Sequence, residues 1–280
     1  MMRFLQALMM LLPGADRSTV SPPDFRAEML VRLQAARPDL TLVPDPDDDL
    51  AILIMVDGVQ EGVYNLHQLE DYCKRTTASD GEESKADYVA AMSIPSTPPS
   101  RASLRLVVRD EPYLAALEEF AATKPVSHDL TKPRQIGDDL YAFLAADSET
   151  SVALINDKTL KELDLSGDEA WALAAAQTRA ILPALPTPDR LATAAVMFED
   201  ENHLASLLFD LTGWAAISDK VGPDLFVTVV ADTIVYAGIL PDGPAFDDLK
   251  TAVAEDCAAL QKCISPHVYR FRDGRWAIAR

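Results

Sequence analysis

Apolar positions along the chain recur in two rhythms, steps of three and four and short runs or alternations, which predict helices and strands respectively. Ser21-Pro22-Pro23-Asp24 is an N-cap signal, with prolines early in the first turn where missing N–H groups cost little. Phe25, Met29, Leu30 and Leu33 follow at helical spacing, and Arg37-Pro38 ends the helix. Two short runs, 40–43 and 50–56, flank an acidic turn and predict a strand pair. Helices are expected over 64–75 and 82–93.

Residues 94–103 carry three prolines among serines and mark a linker. Beyond them the pattern predicts a strand at 104–108 and a helix capped by Asp110 that carries Tyr113, Leu117 and Phe120. A hairpin follows over 140–145 and 152–155. Ser166 and Glu169 form a capping box that opens a helix reaching Leu182. Asn202 precedes a helix bearing Leu204, Leu207, Leu208 and Leu211, and strands are expected at 225–230 and 233–239. Phe246, Leu249, Val253, Cys257, Leu260 and Ile264 then step along one further helix. A closing hairpin spans 268–271 and 275–279 around Asp273-Gly274, a type I′ turn signal.

Helices followed by hairpins, without singly alternating strands, predict an α+β fold built from repeated helix–hairpin units with antiparallel sheets. The proline segment divides it into an N-terminal lobe at 1–93, a linker at 94–103 and a C-terminal lobe at 104–280.

The stretch from Asp139 to Asp147 runs into Val152-Ala153-Leu154-Ile155-Asn156, then into Leu160-Lys161-Glu162-Leu163 and a long helix. With Leu106-Val107-Val108-Arg109 before it and Gly222-Pro223-Asp224-Leu225 after it, this resembles the central segment of the YtpQ-like family of uncharacterised bacterial cytosolic proteins. The recognisable likeness covers residues 104–240. It implies a cytoplasmic location and no cofactor, and it carries over no catalytic motif.

Composition narrows the function classes. With 49% hydrophobic residues the chain has ample apolar surface to bury, so it is neither disordered nor fibrous. A net charge of −19 opposes nucleic-acid binding, because phosphate contacts need a basic surface. No stretch reaches the ~20 apolar residues of a membrane span. Met1-Met2-Arg3 and the apolar run 4–12 have the outline of a short signal peptide. Gln6 within the run and Pro13 near the cleavage position favour a short docked helix stopped at Pro13-Gly14. The sparse cysteines Cys73, Cys257 and Cys263 suggest a reducing compartment. On one helix, the six-residue separation of the last two would send their thiols to different faces.

Candidate chemistry is thin. Asp45, Asp47 and Asp49 have the spacing of the first calcium-loop ligands, but Leu50 and Val56 stand where that loop needs Gly and Glu, so no metal is assigned. His67, His128, His203 and His267 are isolated, and His67 does not share a helical face with Cys73. No nucleophile elbow, Walker loop or dinucleotide fingerprint occurs, and no catalytic residue is assigned. A pair of carboxylates among 44 acidic residues would leave no motif.

The closing hairpin is the most informative feature. Its register places Tyr269, Phe271, Trp276 and Ile278 on one face and Arg270, Arg272 and Arg275 on the other. Those three arginines are the candidate binding residues, for an anion or an acidic partner. Residues 262–280 hold Lys262, Arg270, Arg272, Arg275 and Arg280 against Asp273 alone, so an acidic body ends in a basic hairpin. The expected function is a non-catalytic cytoplasmic interaction module for a basic protein partner, without cofactor, membrane or nucleic acid. The alternative is a hydrolase with a carboxylate site in a cleft between lobes.

Overall fold

The computed structural model describes residues 22–280 apart from 57, 95–97, 124–129, 149–151, 200 and 261. The docked helix expected within 1–15 lies outside the described residues. The chain is α+β, its sheets antiparallel, and it divides into two compact units, residues 1–95 and 96–280.

In the first unit, α1 (Pro22–Ala36) precedes a three-stranded meander of β1 (Thr41–Pro44), β2 (Ala51–Val56) and β3 (Val59–Asn65), followed by α2 (His67–Arg75) and α3 (Ala78–Ser93). Phe25, Met29 and Leu33 bury one stripe of α1 against Leu42, Ile52, Tyr64, Leu66 and Leu69. Tyr64 was expected to open a helix and instead belongs to β3. Gly58, at φ +80, turns the chain so that Val59–Asn65 folds back on β2, where backbone pairing outweighs the weak local pattern around Gln60, Glu61 and Gly62. Thr77 caps α3, its side chain accepting the Asp80 N–H.

The second unit holds two sheets. Strand β4 (Leu104–Asp110) leads into α4 (Glu111–Thr123). On β6 (Leu140–Asp147), β4 occupies one edge, while β5 (Arg134–Gln135) and β7 (Val152–Leu154) share the other. Next come α5 (Asp157–Glu162), α6 (Gly167–Ile181), α7 (Pro188–Thr193), β8 (Val196–Glu199), a 3₁₀ turn at Leu204–Phe209 and α8 (Leu211–Val221). The five-stranded sheet β12-β11-β9-β10-β8 is completed by β9 (Leu225–Ala231), β10 (Ile234–Ile239), α9 (Pro244–Ala259), β11 (Val268–Arg272) and β12 (Arg275–Ile278). The two sheets are stitched where Trp276 N–H donates to Ile136 C=O (3.1 Å) and Asp138 N–H donates to Trp276 C=O (2.8 Å). A Cβ on Gly137 would lie 2.7 Å from the Trp276 carbonyl oxygen, so only glycine permits this approach.

The proline segment is not a linker throughout. Ser100 and Ser103 cap a 3₁₀ turn at Arg101–Ser103 reciprocally. Arg101 donates to the Leu163 carbonyl (2.8 Å) and accepts from the Gln177 amide (2.9 Å), so these residues pack as part of the second unit. The outer edge of β4 is closed by side chains: Leu106 N–H donates to Thr178 Oγ1 (2.8 Å), and Ser206 Oγ donates to Leu106 C=O (2.7 Å). That occupies the outward backbone groups of Leu106 in the middle of an edge strand.

The cysteines require a correction. Helix α9 stops at Ala259 rather than running through Ile264, because Ile264 and Ser265 donate their N–H groups to the Val230 and Val229 carbonyls at the end of β9. Cys263 therefore sits on a returning segment, 5.2 Å from Cys257 between Cα atoms, and the two form a disulfide. The premise that both lay on one helix fails, and the bond itself opposes the reducing compartment that the sparse cysteines suggested, since such bonds persist where the environment is oxidising. Unreduced, denatured protein is expected to titrate one thiol, Cys73, and reduced protein three. Three thiols before reduction would remove the bond.

Candidate functional site

The closing hairpin has the expected register, Tyr269 opposite Ile278 and Phe271 opposite Trp276, around Asp273 and Gly274 at φ 51 and 76. It is not a lone hairpin. Strand β11 also pairs with β9, and α9 covers the face that carries Arg270. The Arg270 side chain is only 6% exposed. Its guanidinium donates to Asp224 C=O (2.6 Å), Leu240 C=O (2.8 Å) and the Asp242 carboxylate (2.7 Å), and lies 3.9 Å from the Phe246 ring centroid. The fork that would grip an outside anion is thus committed within the unit. Arg275 pairs with Asp138 at 3.2 Å. Arg272 is exposed and has no carboxylate partner among the described residues. The structure does not assemble the three arginines into one open anion site.

Tyr269, on the opposite face of β11, reaches a polar cluster that sequence reasoning missed. Its hydroxyl donates to Asp139 Oδ1 (2.8 Å) and lies 2.5 Å from Ser265 Oγ, which also accepts the His267 N–H at 3.2 Å. His267 Nε2 stands 3.7 Å from Asp139 Oδ2, so one carboxylate spans a buried phenol and a half-exposed imidazole. Burial, with the negative charge of Asp139 behind it, pushes the Tyr269 phenol far above its ordinary range. Ser265 and Tyr269 are fully buried and positioned to hold the hairpin rather than to meet a substrate. The signal available in the sequence was the i, i+2, i+4 spacing of Ser265, His267 and Tyr269 leading into a strand.

Asp110, at the junction of β4 and α4, also feels Asp139. Partial burial raises its carboxyl above the ordinary 3.8, opposed by the Tyr113 N–H it accepts and reinforced by Asp139, while His267 acts in the lowering direction. A raised carboxyl binds its proton more tightly in the folded than in the unfolded state. Stability therefore falls as pH rises from about 3.8 through the folded value, and stays lower above it. Asn keeps the helix cap without the charge. Asp110→Asn is expected to gain on wild type across that window and to hold its advantage at neutral pH. Urea midpoints between pH 3.5 and 7 would read this, and a gap independent of pH would contradict it.

A cavity of about 260 Å³ lies beneath the β4 edge among α6, the 182–185 loop and the start of α8. Thr178 and Ser206 line it with hydroxyls already engaged by Leu106, and the Arg179–Asp210 ion pair stands at its rim. His203, buried and left-handed at φ 65, pairs with Asp147 at 3.1 Å.

The acidic turn is a structural element. Asp47 N–H donates to Asp45 Oδ1 and Leu50 N–H to Asp48 Oδ1, while Arg26 holds the Asp45 and Asp48 carbonyls at 2.8 Å each. His67 turns to Asn65 and Asp48, away from Cys73, whose thiol is pushed up by burial. Among the described residues no group of three or more His, Cys, Asp or Glu side chains is arranged to hold a metal ion, and no helix is long and apolar enough to cross a membrane. No family model matches the chain, and neither a curated protein nor a solved structure is significantly similar to it.

Proposed function

We propose that this chain is a non-catalytic, acidic interaction module that binds a basic protein partner. The observation that carries the reading is the state of the first unit's cations. Arg26, Arg32, Arg37, Lys74, Arg75 and Lys85 all form ion pairs inside the unit. Exposed Asp47, Glu83 and Asp87 have no cation partner among the described residues, so the surplus facing solvent is negative. In the second unit Arg270 and Arg275 are likewise paired from within, while Arg272 of the hairpin stays exposed without a carboxylate partner among the described residues. Charge of one sign speeds encounter with an opposite partner more than it fixes affinity. The YtpQ-like resemblance fits this reading without adding an activity. The Cys257–Cys263 bond favours an oxidising compartment over the cytoplasm that the resemblance implies.

The test is capture from native lysate followed by reconstitution with the purified partner. A basic protein should rebind at fixed stoichiometry with an association rate that falls steeply between low and high salt. Recovery of no basic protein, or a salt-insensitive rate, overturns the reading. A carboxylate hydrolase is the second reading, favoured by the raised Asp110 beside Asp139 and His267. A hydrolytic activity lost in Asp139→Asn, with the fold intact, would establish it.

A further inference from the structure

Helix α1 carries two apolar stripes. Phe25, Met29 and Leu33 face the core, and Ala27, Leu30, Val31 and Ala35 repeat helical spacing on another side. The second stripe is open. Leu30, Val31, Gln34, Ala35 and Leu42 line a groove of about 450 Å³, and Val31 is 70% exposed. Gln34 spends its amide on the Arg37 and Leu40 carbonyls and the Leu42 N–H. The charges of α1 turn elsewhere, Glu28 to Lys85 and Arg32 to Glu82 on α3. A groove without a charged side chain offers a basic partner nothing and fits an apolar occupant.

The chain holds one such occupant outside the described residues. Residues 95–97, 124–129 and 149–151 read Pro-Ser-Thr, Lys-Pro-Val-Ser-His-Asp and Glu-Thr-Ser, whereas residues 4–12 read Phe-Leu-Gln-Ala-Leu-Met-Met-Leu-Leu. At helical spacing Leu5, Leu8, Met9 and Leu12 share one stripe, with Arg3 and Gln6 on the far side. The reach also fits. Residues 13–21 join the run to α1 and can extend to about 30 Å, while residues 30–35 lie roughly 12–20 Å along α1 from Pro22. Pro13 and Gly14 open that connection with residue types that turn a chain back. A run of this length, about 14 Å as a helix, matches the stripe over residues 27–35, about 12 Å long, in the antiparallel arrangement that short connections favour.

We propose that residues 4–12 pack into the groove between α1 and β1, with Leu5, Leu8, Met9 and Leu12 against Leu30, Val31 and Leu42. The run then forms an outer layer of the first unit. The inference stands apart from the interaction reading, because the groove carries no charge for a basic partner and the test needs none.

The experiment uses the full chain. Chymotrypsin cuts after Phe, Leu and Met, so the run reports its own protection. In brief digests read by mass spectrometry, cleavage within 4–12 should be at least tenfold slower in wild type than in Val31→Asp, which puts a charge in the groove. Val31→Leu should keep the protection. Ile181→Asp, which alters an exposed apolar side chain of the second unit, should cleave at the wild-type rate. With Leu, Val and Met methyls labelled, Val31 should show NOEs to Leu8 or Met9, and a mixture of two differently labelled samples should show none between copies. Equal cleavage in wild type and Val31→Asp, or the same acceleration in Ile181→Asp, overturns the proposal. NOEs found only between copies would make the occupant a second chain and overturn it too. So would protein isolated from its own cells that begins beyond residue 12, since the run would then be a removed leader.

Discussion

Trp276→Ala is expected to destabilise the second unit by about 3–5 kcal/mol, the range for deleting a large buried aromatic. Trp276 is fully buried, with Trp214 and Phe271 packed edge-on at 5.3 and 5.0 Å between ring centroids. Its indole N–H donates to Leu208 C=O at 2.9 Å, so truncation also orphans a buried carbonyl. The same residue's backbone joins the two sheets through Ile136 and Asp138. Both sheets should therefore lose stability together, read as one lowered urea midpoint. Two separated transitions, with only one shifted, would show that the stitching carries no coupling.

Arg270→Ala should cost about 2–4 kcal/mol, since it strands the Asp224 and Leu240 carbonyls and removes a stacked cation from Phe246. Asp242, 85% exposed, rehydrates and adds little. Arg272→Ala, two residues along the strand but exposed, should stay within about 0.5 kcal/mol of wild type. Chemical denaturation of the pair checks the contrast directly. Equal effects would mean that the two arginines share one environment, which is what alternation along an isolated hairpin implies and the structure does not show.

That contrast marks how far local pattern reaches. Asp273-Gly274 dictated its turn, and the turn dictated the register of β11 on β12, because backbone sterics at positive φ are settled within four residues. The capping box at Ser166 and Glu169 and the stripe of Phe25, Met29 and Leu33 were legible for the same reason. Burial of Arg270 was not, since it depends on α9 lying over that face and on carbonyls 30 and 46 residues away. Strand β3 was hidden because its partner β2, not its own composition, holds it extended.

The candidate sites divide in the same way. The net charge of −19 and the lack of catalytic motifs are properties of composition, and they set the class of partner sought. The groove beside Val31, the Asp139–Tyr269 link across 130 residues and the Cys257–Cys263 bond exist only once the chain is folded. The sequence by itself determined the α+β class, the caps, the closing hairpin and the acidity, all governed by interactions within a turn or two of chain. Tertiary structure decided which charges are spent inside the protein and which remain to meet a partner. Pairing and burial are set by what lies opposite in space, and a one-dimensional pattern carries no record of it.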